Sequence, residues 1–319
     1  MAFRKAGAKK IGGKFLVYGY TGSGKSEFGC TFPKVGAIDS ETGLAFYEGK
    51  DIHIGDKTYN NMVFVDTTAD LDELEEDLDS VIDGDVEIET LLIDSETKFY
   101  NTMDISCTEV VEKKAKASGK NVDTRAKWGM VKNINMKLQQ AKISASSKGI
   151  HVVSTAQGVD VLDDNNKVVG RKPDAHKSLK FDYDVVLWFF SEKDKKTGEI
   201  KYYAEVEKDR TEVTKVGQII ENCTYDIWKP YFDKRNGLET NGANFTTDLK
   251  KSVNSVVTES EKAEILAKEI KELIKEKSEN DDNKPKIKTY LKDSGVDIKN
   301  LDLENIDKLK DLLNKLKEI

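Results

Sequence analysis

The chain has 319 residues, 38% hydrophobic and 34% charged, with 4 Pro, 3 Cys and a formal net charge of −7. That balance supports a real core, excludes a mostly disordered or collagen-like chain, and suggests one large domain with something small beside it. An acidic chain is not coated for nucleic acid, so any such site must be local. Cys30, Cys107 and Cys223 share no ligand spacing with His53, His151 and His176, which argues against a zinc site or a disulfide framework.

The start, MAFRKAGAKK, leads into no apolar signal core, and no apolar run reaches the ~20 residues of a membrane span. The expectation is a cytoplasmic chain with no membrane partner. Short apolar runs then alternate with helical patterns, as in a mostly parallel sheet flanked by helices. Strands are predicted at Phe15 to Tyr18, Val35 to Asp39, Met62 to Val65, Leu91 to Asp94, Ile150 to Ser154 and Val185 to Phe190. Leu71, Leu74, Leu78 and Val81 form one helical stripe, and Val131, Ile134, Leu138 and Ala141 another. A hairpin tip near Lys193 to Gly198 joins the last of these strands to Lys201–Glu207, which makes an antiparallel edge.

Residues 1–234 are therefore read as one α/β domain. The Asn-, Thr- and Gly-rich stretch at 235–258 reads as a linker, and 259–319 as a small helical domain. Helices are expected there at Glu259–Lys277, Lys286–Lys292 and Glu304–Lys317.

Gly19-Tyr20-Thr21-Gly22-Ser23-Gly24-Lys25-Ser26 fits G-x-x-x-x-G-K-[ST] and follows a predicted strand. Glycines let the backbone curl so that N–H groups face phosphate oxygens, Lys25 neutralises phosphate charge, and the Ser26 hydroxyl suits Mg²⁺. The cofactors implied are ATP and Mg²⁺. A second carboxylate for the metal shell is expected at the end of a nearby apolar strand, and Leu91-Leu92-Ile93-Asp94 supplies it. Another apolar strand runs into Asp39-Ser40-Glu41, where Glu41 is placed to polarise a water or, alternatively, both acids simply cap a turn.

Strand, phosphate loop and helix, then TFPKVGAIDSETG, LLIDS and HVVSTAQ, resemble the RecA-type ATPase core, most of all the short phage-encoded RecA-like recombinases. The resemblance covers about residues 12–232. It implies that Glu41 is the catalytic base, that Asp94 holds Mg²⁺ through water, and that Gln157 senses the γ-phosphate. It also implies that Lys208 and Arg210 reach a neighbouring subunit's ATP; the other reading of these two is a pair of solvated charges at a strand end.

From Lys113 to Lys148 ten basic residues face a single acid, Asp123, around a loop-like KASGKNVDTR. A second basic stretch follows Gln157. The family's two DNA-binding loops fall at these places, so the resemblance assigns Lys113, Lys114, Lys116, Lys120, Arg125, Lys127, Arg171, Lys172 and Lys177 to single-stranded DNA; the alternative is that they form solvated faces. What it implies overall is a DNA-dependent ATPase, phage-encoded in a bacterial host, that promotes annealing or strand exchange. Its expected partners are further copies of itself in a filament or ring and a single-strand-binding protein or annealase. The competing readings are an ATP-gated interaction protein with little hydrolysis and a small-molecule P-loop kinase.

Overall fold

A computed structural model describes residues 5–119, 121–195 and 197–318. The first compact unit ends at Thr246 and the second begins at Thr247. The chain opens with β1 (Lys14–Gly19), α1 (Lys25–Cys30) and β2 (Val35–Asp39), then a small hairpin of β3 (Ile52–Ile54) and β4 (Lys57–Tyr59), then β5 (Met62–Asp66). Next come α2 (Leu71–Asp83), β6 (Thr90–Asp94), the long helices α3 (Glu96–Ser118) and α4 (Thr124–Ser147), and β7 (His151–Leu162). The unit closes with β8 (Val168–Pro173), α5 (Leu179–Asp182), β9 (Val185–Lys193), β10 (Ile200–Asp209), β11 (Ile219–Glu221) and α6 (Lys229–Asp233).

Among the described residues the main sheet has nine strands in the order β11-β10-β9-β1-β7-β6-β2-β5, with β8 paired to β7. The run from β9 to β5 is parallel, and β10, β11 and β8 are antiparallel additions. Every residue of β1 is buried, because both faces of the sheet are covered. Phe15 and Val17 enter an aromatic-rich layer with Phe28, Phe32 and Trp228, while Leu16 and Tyr18 point the other way towards Val186 and Trp188. α2, α3 and α4 cover the neighbouring strands through Leu74, Leu78, Phe99, Val131 and Leu138.

Three segments differ from the sequence expectation. KASGKNVDTR is helical at both ends, residues 116–118 closing α3 and 124–125 opening α4: Gly119 stops α3 at φ 64°, and the Asp123 carboxylate caps α4 by accepting the Arg125 and Ala126 amides. Beyond Gln157 the chain forms a β-hairpin, because β7 continues to Leu162, turns where the Asp163 side chain accepts the Asn165 and Lys167 amides, and returns as β8. The helix expected from Glu259 begins at Phe245, inside the stretch read as linker. There Ser252, Ser255 and Thr258 turn their hydroxyls back onto carbonyls four residues earlier, which keeps these residues compatible with helix.

The second unit comprises most of α7 (Phe245–Lys277), then α8 (Lys284–Ser294) and α9 (Ile306–Lys317). Ala263, Ala267, Ile270, Ile287, Leu309 and Leu312 form its core. Among the described residues no helix is long and apolar enough to cross a membrane.

Candidate functional site

β1 delivers the chain into its loop at Gly19, where only glycine fits: a Cβ there would lie 2.1 Å from the Phe189 carbonyl oxygen of β9. Gly22 and Gly24 hold φ of 71° and 91°, the left-handed region that favours glycine. Lys25 then opens α1, and its Nζ donates back to the Gly19 and Tyr20 carbonyls at 3.1 and 2.9 Å. Burial lowers the Lys25 pKa, and the charges of Asp94 and Glu41 act against that fall. The three charged groups therefore share one pocket of field.

Asp94 ends β6 with 8% of its surface exposed. Its carboxylate accepts hydrogen bonds from the hydroxyls of Ser26 and Thr155. Burial still pushes its pKa up; Ser26 and Thr155 oppose this, while Glu41 and Asp39 add to it. A buried carboxylate that touches the Ser26 hydroxyl is a donor set that fits Mg²⁺. Among the described residues no three carboxylate, imidazole or thiol groups gather to hold a metal unaided. The ion's remaining ligands would be nucleotide phosphates and water, as is usual for Mg²⁺.

Asp39 and Glu41 divide the two readings between them. Asp39 is buried and shapes the turn, accepting the Glu41 and Leu44 amides at 3.0 and 2.8 Å. That turn leaves Glu41 exposed, with its Oε1 accepting from Ser95 Oγ at 2.6 Å. Ser40 and Ser95 stitch the two strand ends: Ser40 N–H donates to the Asp94 carbonyl at 2.7 Å, and Ser95 N–H to Ser40 Oγ at 2.8 Å. Thr155 and Ser95 thus carry parts of the site; they lie within HVVSTAQ and LLIDS, but the sequence reading gave them no role.

Glu96 is the other acid close in sequence to Asp94, yet it is buried against Lys142 at 2.5 Å, the two side chains being 7% and 3% exposed. Gln157 sits opposite Gly19 in the β1–β7 register, and its backbone N–H donates to Thr97 Oγ1 at 2.9 Å.

Lys208 and Arg210 lie elsewhere. Lys208 stands opposite Val186, which itself pairs with Leu16, so it is at the end of the sheet away from the loop, about 10 Å of strand below Gly19. Its Nζ donates to the carbonyls of Lys180, Phe181 and Tyr183, and Arg210 pairs with Asp184 at 2.9 Å. Neither side chain reaches the phosphate loop of its own chain.

The basic residues also separate. Lys113 pairs with Glu109 at 3.1 Å, Lys127 with Asp104 at 2.8 Å, and Arg171 with Glu205 at 3.7 Å while lying over the Trp188 ring. Lys148 reaches the Ile82 carbonyl, and Lys142 is buried. Lys114, Lys116, Arg125, Lys172 and Lys177 are exposed, and Lys120 lies outside the described residues. The α3 end carrying Lys113 is about 27 Å of helix from Asp94. The segments carrying the two basic stretches touch where His176 Nδ1 lies 3.3 Å from Asn135 Nδ2 of α4; burial, then the charges of Lys177 and Lys132, lower the His176 pKa.

A strand running into a glycine-bound loop, a helix opening at Lys25, and an acid-ended β6 separated from β1 by β7 define a RecA-like P-loop ATPase core. The chain belongs to the AAA domain family, whose model matches residues 11–230. Similar solved structures include a KaiC-like protein from Pyrococcus horikoshii OT3, 14% identical, covering 67% of this chain and 87% of that one at a TM-score of 0.40. The flagellar accessory protein FlaH from Methanocaldococcus jannaschii is 12% identical over 67% of this chain and 86% of its own, at a TM-score of 0.36. No curated protein matches the sequence.

Proposed function

We propose that this chain hydrolyses ATP with Mg²⁺ and couples the reaction to binding of single-stranded DNA, in annealing or strand exchange of the phage recombinase kind. The observation that carries the hydrolytic half is the convergence of Lys25, Ser26, Asp94 and Glu41 from three strand ends. Ser26 and Asp94 would hold Mg²⁺, which supplies charge neutralisation at the phosphate oxygens. Lys25 leaves the Gly19 and Tyr20 carbonyls to meet the phosphates. Glu41, exposed and oriented by the Ser95 hydroxyl, takes the proton of the attacking water, and Gln157 at the adjoining strand end contacts the γ-phosphate. Glu96 is unsuited to Glu41's role, since its charge is already matched by Lys142 in a dry site.

Support for the DNA half comes from the exposed Lys114, Lys116, Arg125, Lys172 and Lys177, and from the meeting of Lys132 and Lys177 around His176. Lys208 and Arg210, out of reach of their own loop, are assigned to a neighbouring copy's nucleotide in a filament or ring. A single-strand-binding protein or annealase remains the expected further partner. The internal pairing of Lys113, Lys127 and Arg171 favours a second reading, an ATP-gated interaction protein with little hydrolysis.

Steady-state ATP hydrolysis at low salt, with and without single-stranded DNA and with Lys25→Ala as the blank, separates the two. Stimulation that fades with salt supports the first. ATP binding with no response to DNA selects the second. Glu41→Gln retaining full turnover would remove Glu41 from the mechanism.

A further inference from the structure

At the end of the sheet away from the phosphate loop, about 17 Å of strand below Gly19, lies a cavity of about 450 Å³. Lys10, Pro33, Asn61, Glu89 and Gly149 line it, each shortly before one of the parallel strands β1, β2, β5, β6 and β7. Tyr225 and residues of α6 form another wall. His151 and Tyr225 are 7% and 4% exposed, with His151 Nε2 3.0 Å from Tyr225 Oη. His151 Nδ1 accepts the Gly13 amide, and burial, with a further push from Lys10, lowers the ring's pKa to about 4. The neutral imidazole therefore carries its proton on Nε2 and donates it to Tyr225 Oη. The phenol's own proton is left for another acceptor, and none among the described residues takes it. Burial, then the charges of Asp233, Glu89 and Asp226, raise the Tyr225 pKa, so that proton stays in place. Most other charges here are already matched: Asp226 accepts from Lys57 and Tyr59 at 2.8 and 2.9 Å, and Lys229 pairs with Asp233 at 2.7 Å. The Lys10 ammonium and the Glu89 carboxylate have no such partner among the described residues.

We propose that this cavity binds a small zwitterion of the amino-acid type, its carboxylate accepting from Tyr225 and Lys10 and its ammonium donating to Glu89. The three unmatched groups are two donors and one carboxylate, which is the complement of such a molecule. A bare carboxylate would also meet the charges of Asp233, Glu89 and Asp226 that reach the Tyr225 oxygen, and that repulsion disfavours a ligand with no positive charge of its own. An amine alone would leave the Tyr225 proton without an acceptor and would share the cavity with the Lys10 ammonium. The volume falls within the about 300–1,000 Å³ of small-molecule sites. Pro33, Tyr59 and Phe232 also line the cavity and give an apolar side chain a wall to pack on. The length of β1 separates this site from the phosphate loop, so it stands apart from the reading of that loop as an ATPase centre.

The test is calorimetric titration of the full chain at neutral pH with L-phenylalanine and L-leucine, beside phenylpropionate and phenylethylamine, which each keep only one of the two charges. At least one amino acid should bind saturably, one molecule per chain. Phenylpropionate and phenylethylamine should each bind about tenfold more weakly than L-phenylalanine, the effect of losing one hydrogen bond to a charged group. Lys10→Met should weaken the amino acid and phenylpropionate by about tenfold while leaving phenylethylamine unchanged. Glu89→Gln should do the reverse, weakening the amino acid and phenylethylamine and sparing phenylpropionate. Neither substitution removes an ion pair within the fold, so both variants remain available to the test if Tyr225→Phe does not fold. If it folds, Tyr225→Phe should behave as Lys10→Met does. The proposal is overturned if neither amino acid binds at up to about 10 mM. It is equally overturned if phenylpropionate binds as tightly as L-phenylalanine, or if Lys10→Met and Glu89→Gln both bind the amino acid as the wild type does.

Discussion

Replacing Lys142 by Met strands the Glu96 carboxylate. The pair is 2.5 Å apart with side chains 3% and 7% exposed, and the remaining polar neighbour is the Tyr183 hydroxyl at 3.1 Å, itself 2.6 Å from Ser154 Oγ. Removing one partner of a buried pair costs about 3–5 kcal/mol, because the other charge stays in a dry site without compensation. In a unit of this size each kcal/mol lowers Tm by about 2–4 °C, so a fall of about 10 °C is expected. Urea unfolding at pH 8 and at pH 5 should show the larger loss at pH 8, since a stranded carboxylate can neutralise itself by taking up a proton. Adding Glu96→Gln to Lys142→Met should recover most of the loss, and Glu96→Gln should leave ATP turnover near wild type. A Lys142→Met cost below about 1 kcal/mol, or one equal at both pH values, would refute the reasoning. A Glu96→Gln variant that binds ATP but no longer hydrolyses it would move the base from Glu41 to Glu96.

Gly19→Ala should abolish nucleotide binding and lower Tm, because its methyl would fall 2.1 Å from the Phe189 carbonyl oxygen, and fluorescent-nucleotide titration with thermal melting checks both. Burial, with a further push from Lys10, lowers the His151 pKa to about 4, while its Nδ1 accepts the Gly13 amide at 3.0 Å. The folded value lies below the unfolded one, so this stability is complete above about pH 6.5 and is lost as pH falls towards 4, by at most about 3 kcal/mol; unfolding midpoints at pH 7.5 and 4.5 measure it. Burial and the neighbouring Asp66 raise the Asp77 pKa to about 6, so ionising it costs stability as pH rises from about 4 to 6. Asp77→Asn should therefore stabilise the chain at pH 8 by about 1 kcal/mol, reduced by its partial exposure, and not at pH 4.

The phosphate loop, Asp94 and Glu41 were legible in the sequence because a strand, a glycine-bound turn and a helix start are properties of contiguous residues. The ends of parallel strands also converge wherever the sheet forms. The six predicted strands were legible for the same reason, as apolar runs bounded by turns. The hairpin after Gln157 was not, because Val159, Val161 and Val168 are interspersed with charged and turn residues and pair locally, with Lys172, Gly170 and Leu162. Basic residues were the least legible. Lys127, Lys142 and Arg171 look alike in the chain, yet their acid partners Asp104, Glu96 and Glu205 come from α3 or β10. Sequence by itself determined which atoms can carry charge, donate a proton or cradle a phosphate. Tertiary structure alone decided which of those charges are already neutralised within the fold and which still face solvent, because burial and partner distance are set by segments far apart in the chain.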